Sequence, residues 1–419
     1  MRSSTTTFST SSTAAGFQKA RWLCMIASLV ICVCAGFGYA WSVLQSPIVA
    51  AYGWPDSQVS LAYTITVLCS TMAPLLFASL IRRLKTRRCI MLGAVLFGGG
   101  LILTSMMGEL WQLYLFYGIL SGLGVGFIYP SMMAYVVRLF PDRSGMASGL
   151  GTAAYGSGAI LWAPIAVSLT DAFSLSAAFR FLGVVFLVVV LAGSLFLREP
   201  PEGFQEAMGK KTAAGPAGDA RDLNRGQMVR TAAFYQMVVV FTCGLVAGVI
   251  VISQASPILQ QAYGFPAASA ALFVSVFAAC NMAGRFLWGS LSDKLGISNT
   301  TLVVFVLCIL SMLVLAFVGN TAIAVCAMAL AASCYGGFAS VLTPLTAQVF
   351  GPRYITENYG VMYLVFGLAS LIGPVMAVQF KNAAGGSYSG AFLTAAVLAV
   401  VGLVLSRFLK PKSRQGGTN

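Results

Sequence analysis

The sequence predicts an all-α membrane protein with twelve transmembrane helices in two six-helix repeats, and three observations lead there. Hydrophobic residues make up 58% of the 419 and charged residues only 9%, against about 45–50% and about 25% in soluble domains. Twelve apolar runs follow one another, each near the ~20 residues that cross a bilayer. Short motifs recur at one nearly fixed offset. Twelve spans consume about 240 residues, which leaves short loops and no large soluble domain.

Residues 1–18 are Ser/Thr-rich and read as a disordered cytoplasmic arm. Lys19 and Arg21 precede an apolar run from Trp22 to about Leu44. It is too long for a signal-peptide core and no small-residue cleavage site follows, so it is the first span. Further runs lie near 59–81, 90–107, 111–136, 146–169 and 177–197, completing an N-terminal bundle over 19–197. Residues 198–232 carry acids, bases, Gly and Pro and read as a cytoplasmic linker. Runs near 233–256, 268–291, 299–318, 321–347, 358–380 and 389–408 give a C-terminal bundle over 233–409, with a cytoplasmic tail over 410–419.

The two bundles are related in sequence. Ser46-Pro47-Ile48 recurs as Ser256-Pro257-Ile258, and Ala51-Tyr52-Gly53-Trp54-Pro55 as Ala262-Tyr263-Gly264-Phe265-Pro266. Ala78-Ser79-Leu80 with Leu84 matches Gly289-Ser290-Leu291 with Leu295, and Phe140 with Arg143 matches Phe350 with Arg353. Parallel repeats of this kind place a substrate site between two rocking bundles near the membrane midplane.

Charge sets the expected orientation. Of 25 Lys and Arg residues, only Arg180 and Lys381 fall on one side of the membrane and only Arg285 falls within a span. The others share the opposite side, which predicts a multi-pass protein of the cell (inner) membrane with both termini cytoplasmic. The net charge of +14 is therefore topology information and not a nucleic-acid footprint. Histidine is absent, which excludes Ser/His and Cys/His nucleophiles and His-based metal sites. The ten cysteines form no C-x-x-C pair, and nearly all sit in apolar runs as buried hydrophobes. Gly-x-Gly patterns such as Gly122-x-Gly124-x-Gly126 lie in apolar helical runs with no preceding strand, so they suit close helix packing and not phosphate binding. No cofactor or metal is expected, and neither is an enzymatic activity.

Arg285 is the sharpest candidate for chemistry. An arginine at the centre of a span costs about 2.5–3.5 kcal/mol to insert and ordinarily faces a cavity or a partner. It stands about two turns, or ~12 Å, before Asp293, beyond comfortable snorkelling reach. All eleven acids map to loops or helix ends, so no intramembrane carboxylate is available to pair with it. The missing counter-ion is then the substrate, because a guanidinium grips a carboxylate bidentately and keeps its charge. Asn281, one turn earlier on the same face, is expected either to orient the guanidinium, to bond a substrate oxygen, or simply to pack between helices. Tyr39, Tyr129, Tyr155 and Tyr335 supply apolar walls with one hydroxyl each, with packing as the plain alternative. Trp41, Tyr363 and Phe366 are weaker candidates.

The loop Gly289-x-x-x-Asp293-Lys294-x-Gly296 resembles the loop signature of the major facilitator superfamily. Its first-half counterpart departs from the pattern, with Arg82 where the acid is usual and Lys85 where a glycine is. Phe140-Pro141-Asp142-Arg143-x-Gly145-x-Ala147-Ser148-Gly149, Tyr155-Gly156-x-Gly158, Gly284-Arg285-x-x-x-Gly289 and Asn358-Tyr359-Gly360 resemble the oxalate/formate antiporter family, which is similar to the monocarboxylate transporters. That resemblance implies the major facilitator fold, a gating role for Gly289, Asp293, Lys294 and Gly296, and a substrate-binding Arg285. It implies pocket roles for Tyr129 and Tyr155. Proton-coupled relatives carry an aspartate where Asn281 stands, and dicarboxylate exchangers carry a lysine where Phe366 stands.

The expected function is a secondary active or facilitative carrier of small monocarboxylates such as lactate, pyruvate or formate, working by alternating access. A dicarboxylate exchanger and an exporter of lipophilic compounds are the alternatives. The expected partners are a small organic anion and the lipid bilayer, with proton co-transport left open, no nucleic acid, and a monomer as the assembly.

Overall fold

The structure is a computed structural model and describes residues 6–140, 144–201, 204, 222–351 and 354–409. Among them are helices, turns and loops but no strand. Twelve stretches are long and apolar enough to cross a membrane. In the first half these are α1 (Ala20–Tyr52), α2 (Asp56–Leu76), α3 (Thr86–Thr104), α4 (Leu110–Leu139), α5 (Gly149–Ala172) and α6 (Leu175–Leu195). In the second half they are α7 (Ala232–Tyr263), α8 (Ala267–Ser292), α9 (Ile297–Phe317), α10 (Thr321–Phe350), α11 (Glu357–Ala383) and α12 (Ser389–Phe408). An even number of crossings puts both ends of the chain on one face, here called the terminal face. The opposite one is the far face.

Two expectations about α1 are revised. Helix runs back to Thr6, through residues expected to belong to a disordered arm. Extending a formed helix adds one hydrogen bond per residue fixed, so a polar arm can continue a span that has already nucleated. At its other end α1 continues to Tyr52 instead of stopping near 44, and α7 continues to Tyr263 instead of 256. Gln45 looked like the end of an apolar run, whereas Gln254 lay inside the run expected to reach 256, and both are fully buried and bond each other. A polar side chain whose partners are in place does not end a buried helix.

The repeat has a structural counterpart. α1 and α7 each close on a left-handed glycine, Gly53 at φ 68° and Gly264 at φ 70°. Pro55 and Pro266 then flank the starts of α2 and α8. Side chains other than glycine avoid that conformation, which explains why both copies keep Gly there. The loops that differ in sequence also differ in backbone. Gly296 has φ 82°, whereas Lys85, its counterpart, is extended at φ −65° and needs no glycine.

Within each half, α3 packs between α4 and α6, and α9 between α10 and α12. Between the halves, α2 meets α11, α5 meets α8, and α1 meets α7. The linker is tied at both ends. Phe204 sits edge-on against Phe17 at 5.0 Å, and Leu223 donates its N–H to the Phe350 carbonyl at 2.9 Å. Residues 205–221, within the expected flexible linker, and the expected tail 410–419 lie outside the described residues.

Candidate functional site

Arg285 lies about two thirds of the way along α8, buried at 9% exposure. Its Nη2 donates to the Tyr39 hydroxyl at 3.1 Å, and its Nε donates to Asn281 Oδ1 at 3.4 Å. Among the described residues no ion pair involves it. The charge is thus held by neutral dipoles alone, an arrangement that leaves attraction for an anion. Asn281 is 1% exposed, sits behind the guanidinium, and its Nδ2 has no partner.

Glycines set the position of this group. A Cβ on Gly156 of α5 would lie 3.3 Å from Arg285 Nε and 3.6 Å from Asn281 Nδ2. The guanidinium of one half therefore rests against bare backbone of the other. Nearby, α1 becomes a 3-10 helix over Gly36–Ala40, and a Cβ on Gly36 would lie 2.0 Å from the Tyr155 carbonyl oxygen. This approach of α1 to α5 brings the Tyr39 and Tyr155 rings to 5.4 Å.

Six aromatic rings close a belt. From Tyr155 it passes to Tyr129 at 4.1 Å, Tyr363 at 5.8 Å, Phe366 at 5.1 Å and Tyr335 at 5.8 Å. It then returns to Tyr39 at 6.4 Å, completing the circuit through Tyr155. Apart from the closer Tyr129–Tyr155 contact, these are ordinary separations for interacting rings. Each half contributes three members, so the belt crosses between halves at Tyr129–Tyr363 and at Tyr335–Tyr39. All six line a cavity with Arg285, and Thr66, Ser70 and Tyr359 add hydroxyls. Its volume is about 50 Å³, measured as space open to the centre of a water-sized sphere. On that measure one water needs ~10–15 Å³, so the cavity holds about three to five water-sized groups.

The repeat organises this wall. Val125 and Tyr335 stand 210 residues apart, as do Tyr129 and Ala339, and Tyr155 and Phe366 stand 211 apart. Every member of those pairs lines the cavity. Arg285 breaks the symmetry, because the matching first-half positions are Pro74 and Leu75.

The structure brings together Arg285, Tyr39, Tyr129, Tyr155 and Tyr335, along with Tyr363 and Phe366. Asn281 is adjacent, not part of the wall. Trp41 is a correction: fully buried, it donates Nε1 to Gln45 at 3.2 Å and packs on Tyr117 inside the first half. Of the loop group, Gly289, Lys294 and Gly296 lie at the terminal end of α8, away from the cavity. The Asp293 side chain lies outside what is described. Tyr63, Tyr359, Thr66, Ser70 and Gly156 were not singled out individually as site residues. Tyr359 stood within a quoted motif, whereas Tyr63 had no signal beyond being an aromatic in an apolar run. No group of metal-ligating side chains occurs among the described residues.

The sequence model described as Major Facilitator Superfamily matches residues 26–374. The oxalate:formate antiporter of Oxalobacter formigenes is 25% identical over 401 residues, covering 95% of this chain and 93% of its own. Monocarboxylate transporter 12 of Rattus norvegicus is 25% identical over 394 residues, covering 86% and 78%. Among solved structures, a bacterial homolog of the human lysosomal transporter Spinster, inward-facing and occupied, aligns with a TM-score of 0.73. That alignment covers 92% of this chain and 96% of the other at 15% identity, a likeness of fold.

Proposed function

This chain belongs to the major facilitator superfamily, and on that premise we propose that it carries small monocarboxylates by alternating access, with the substrate carboxylate paired to Arg285. The observation that carries this reading is a buried guanidinium that, among the described residues, bonds a phenol and an amide and no carboxylate. A carboxylate supplies the missing charge, and the pair is strong because both its hydrogen bonds are charge-assisted. Asn281 Oδ1 holds Nε, which leaves the outer edge of the fork to the substrate. A cavity of about 50 Å³ suits an acid of no more than a few carbons. The names of the two relatives, an oxalate:formate antiporter and a monocarboxylate transporter, agree with an organic anion.

Among the described residues no second Lys or Arg lines the cavity, which favours one carboxylate over two. A second charge would be left among phenols and apolar side chains, a costly position. The excess of bases on the terminal face supports a cytoplasmic placement of both chain ends. The aromatic belt joins the halves at two points, so a bound anion that draws in Arg285 and Tyr39 acts on both bundles. It shifts the carrier toward closure only by binding the closed form more tightly.

The test is competition. Purified protein in liposomes takes up labelled L-lactate against excess unlabelled pyruvate, formate, oxalate or a neutral amide. Inhibition by the monocarboxylates and none by the amide supports the reading. Stronger inhibition by oxalate than by pyruvate would favour the dicarboxylate alternative.

A further inference from the structure

The far face is closed by a polar layer that the substrate cavity does not include. Asp56 begins α2, and its Oδ2 forms an ion pair with Lys381 Nζ in the last turn of α11. The two side chains are 14% and 12% exposed, so the pair is largely withdrawn from water. Gln45 Nε2 donates to Asp56 Oδ1 at 2.6 Å and to Gln254 Oε1 at 3.2 Å. Gln254 Nε2 returns a bond to Gln45 Oε1 at 2.9 Å and reaches Ser60 Oγ at 3.3 Å. Lys381 also donates to Gln261 Oε1 at 3.1 Å, and the Tyr388 hydroxyl reaches the same oxygen at 3.4 Å. Burial, and then the neighbouring Asp56 charge, push the Tyr388 phenol above its ordinary range, so it remains a neutral donor.

Gln45, Asp56 and Ser60 belong to the first half, whereas Gln254, Gln261 and Lys381 belong to the second. The layer therefore cannot survive any motion that separates the halves at the far face. Lys381 is also one of only two bases assigned to this face, where the topology of the chain otherwise removes them. Its pairing with Asp56 explains the exception. Each charge lies at the helix end that its sign favours, so both are pre-placed. When the halves part, water hydrates both ions and returns part of the lost attraction, which makes the contact reversible.

We propose that Asp56–Lys381, backed by the Gln45–Gln254 amide pair, is the far-face gate of this carrier and biases its resting state toward opening at the terminal face. The layer also touches the cavity. Trp41 Nε1 bonds Gln45, and the Trp41 ring stacks with Tyr63 of the cavity wall at 6.5 Å. The proposal rests on alternating access and not on which acid is carried.

Hydrogen–deuterium exchange of the full chain in nanodiscs tests it without any substrate. Asp56→Asn and Lys381→Met should each raise exchange on the order of tenfold in far-face peptides covering 44–60 and 254–266. The terminal ends of α4, α5 and α10 should exchange no faster. Lys381→Arg retains the charge and should exchange like wild type. Unchanged far-face exchange in both neutralised variants would overturn the gate. So would a rise of equal size on both faces, which is general loosening, or a Lys381→Arg protein that behaves like Lys381→Met. A failed lactate assay would leave this measurement intact, and the reverse also holds.

Discussion

Replacing Asn281 by aspartate should make substrate binding require a proton. The Oδ1 of Asn281 already lies 3.4 Å from Arg285 Nε, so Asn281→Asp puts a carboxylate against the guanidinium without moving the backbone. Opposite charges at that separation attract by about 5 kcal/mol at an effective dielectric of 20. Desolvation of the new charge offsets part of this and leaves about 2–3 kcal/mol in favour of the internal pair. An incoming monocarboxylate must compete with that pair, so its affinity at neutral pH falls by about 30-fold to 150-fold. The sign of the pH effect follows from charge balance. The wild-type site goes from one positive charge to none on binding, whereas the variant goes from neutral to one negative charge unless a proton binds too. Affinity in the variant should therefore rise as pH falls, by up to about tenfold per unit, and substrate should draw in protons by the reciprocal linkage. Calorimetric titration of purified protein with lactate in two buffers of different ionisation enthalpy reads both affinity and proton uptake. If the variant bound lactate as tightly as wild type at pH 7.5 and showed no pH slope, the charge-balance reasoning would be wrong.

Two further substitutions examine other parts of the site. Gly36→Ala places a methyl 2.0 Å from the Tyr155 carbonyl and should destabilise the fold by about 1–3 kcal/mol or more, whereas Gly38→Ala meets nothing within 4 Å. Thermal melting of the two proteins should separate them clearly, and equal melting points would contradict the close α1–α5 approach. Phe366→Lys adds a second cation to the wall, so oxalate should compete more strongly and lactate less strongly in the uptake assay. An unchanged order of inhibitors would show that one fixed cation does not set the charge of the substrate.

The twelve spans and their division into halves were legible because membrane burial imposes long apolar runs, and because two copies of one bundle kept recognisable turns at Gly53 and Gly264. Arg285 was legible for the opposite reason, since a charge inside a span contradicts its surroundings. The ends of α1 and α7 were not, because Gln45 looks like a loop residue until its bonds to Gln254 are known, and Gln260 and Gln261 break the apolar run of α7. Trp41 and Tyr63 carried no distinguishing pattern: both are aromatics in apolar runs, and only packing turns one inward to the bundle and the other to the cavity. Asp56 and Lys381 lie 325 residues apart, and nothing local in either stretch announces the other. Asn281 stood on the correct face, but which of its atoms meets the guanidinium is decided by rotamer and by the neighbouring Gly156.

The most direct test of the central claim is labelled L-lactate uptake by wild-type and Arg285→Gln proteins reconstituted at equal density, with melting curves recorded for both. A carboxylate paired to Arg285 predicts saturable uptake by the wild type and its loss in a variant that still melts cooperatively near the wild-type temperature. Saturable uptake of similar affinity in folded Arg285→Gln would contradict it.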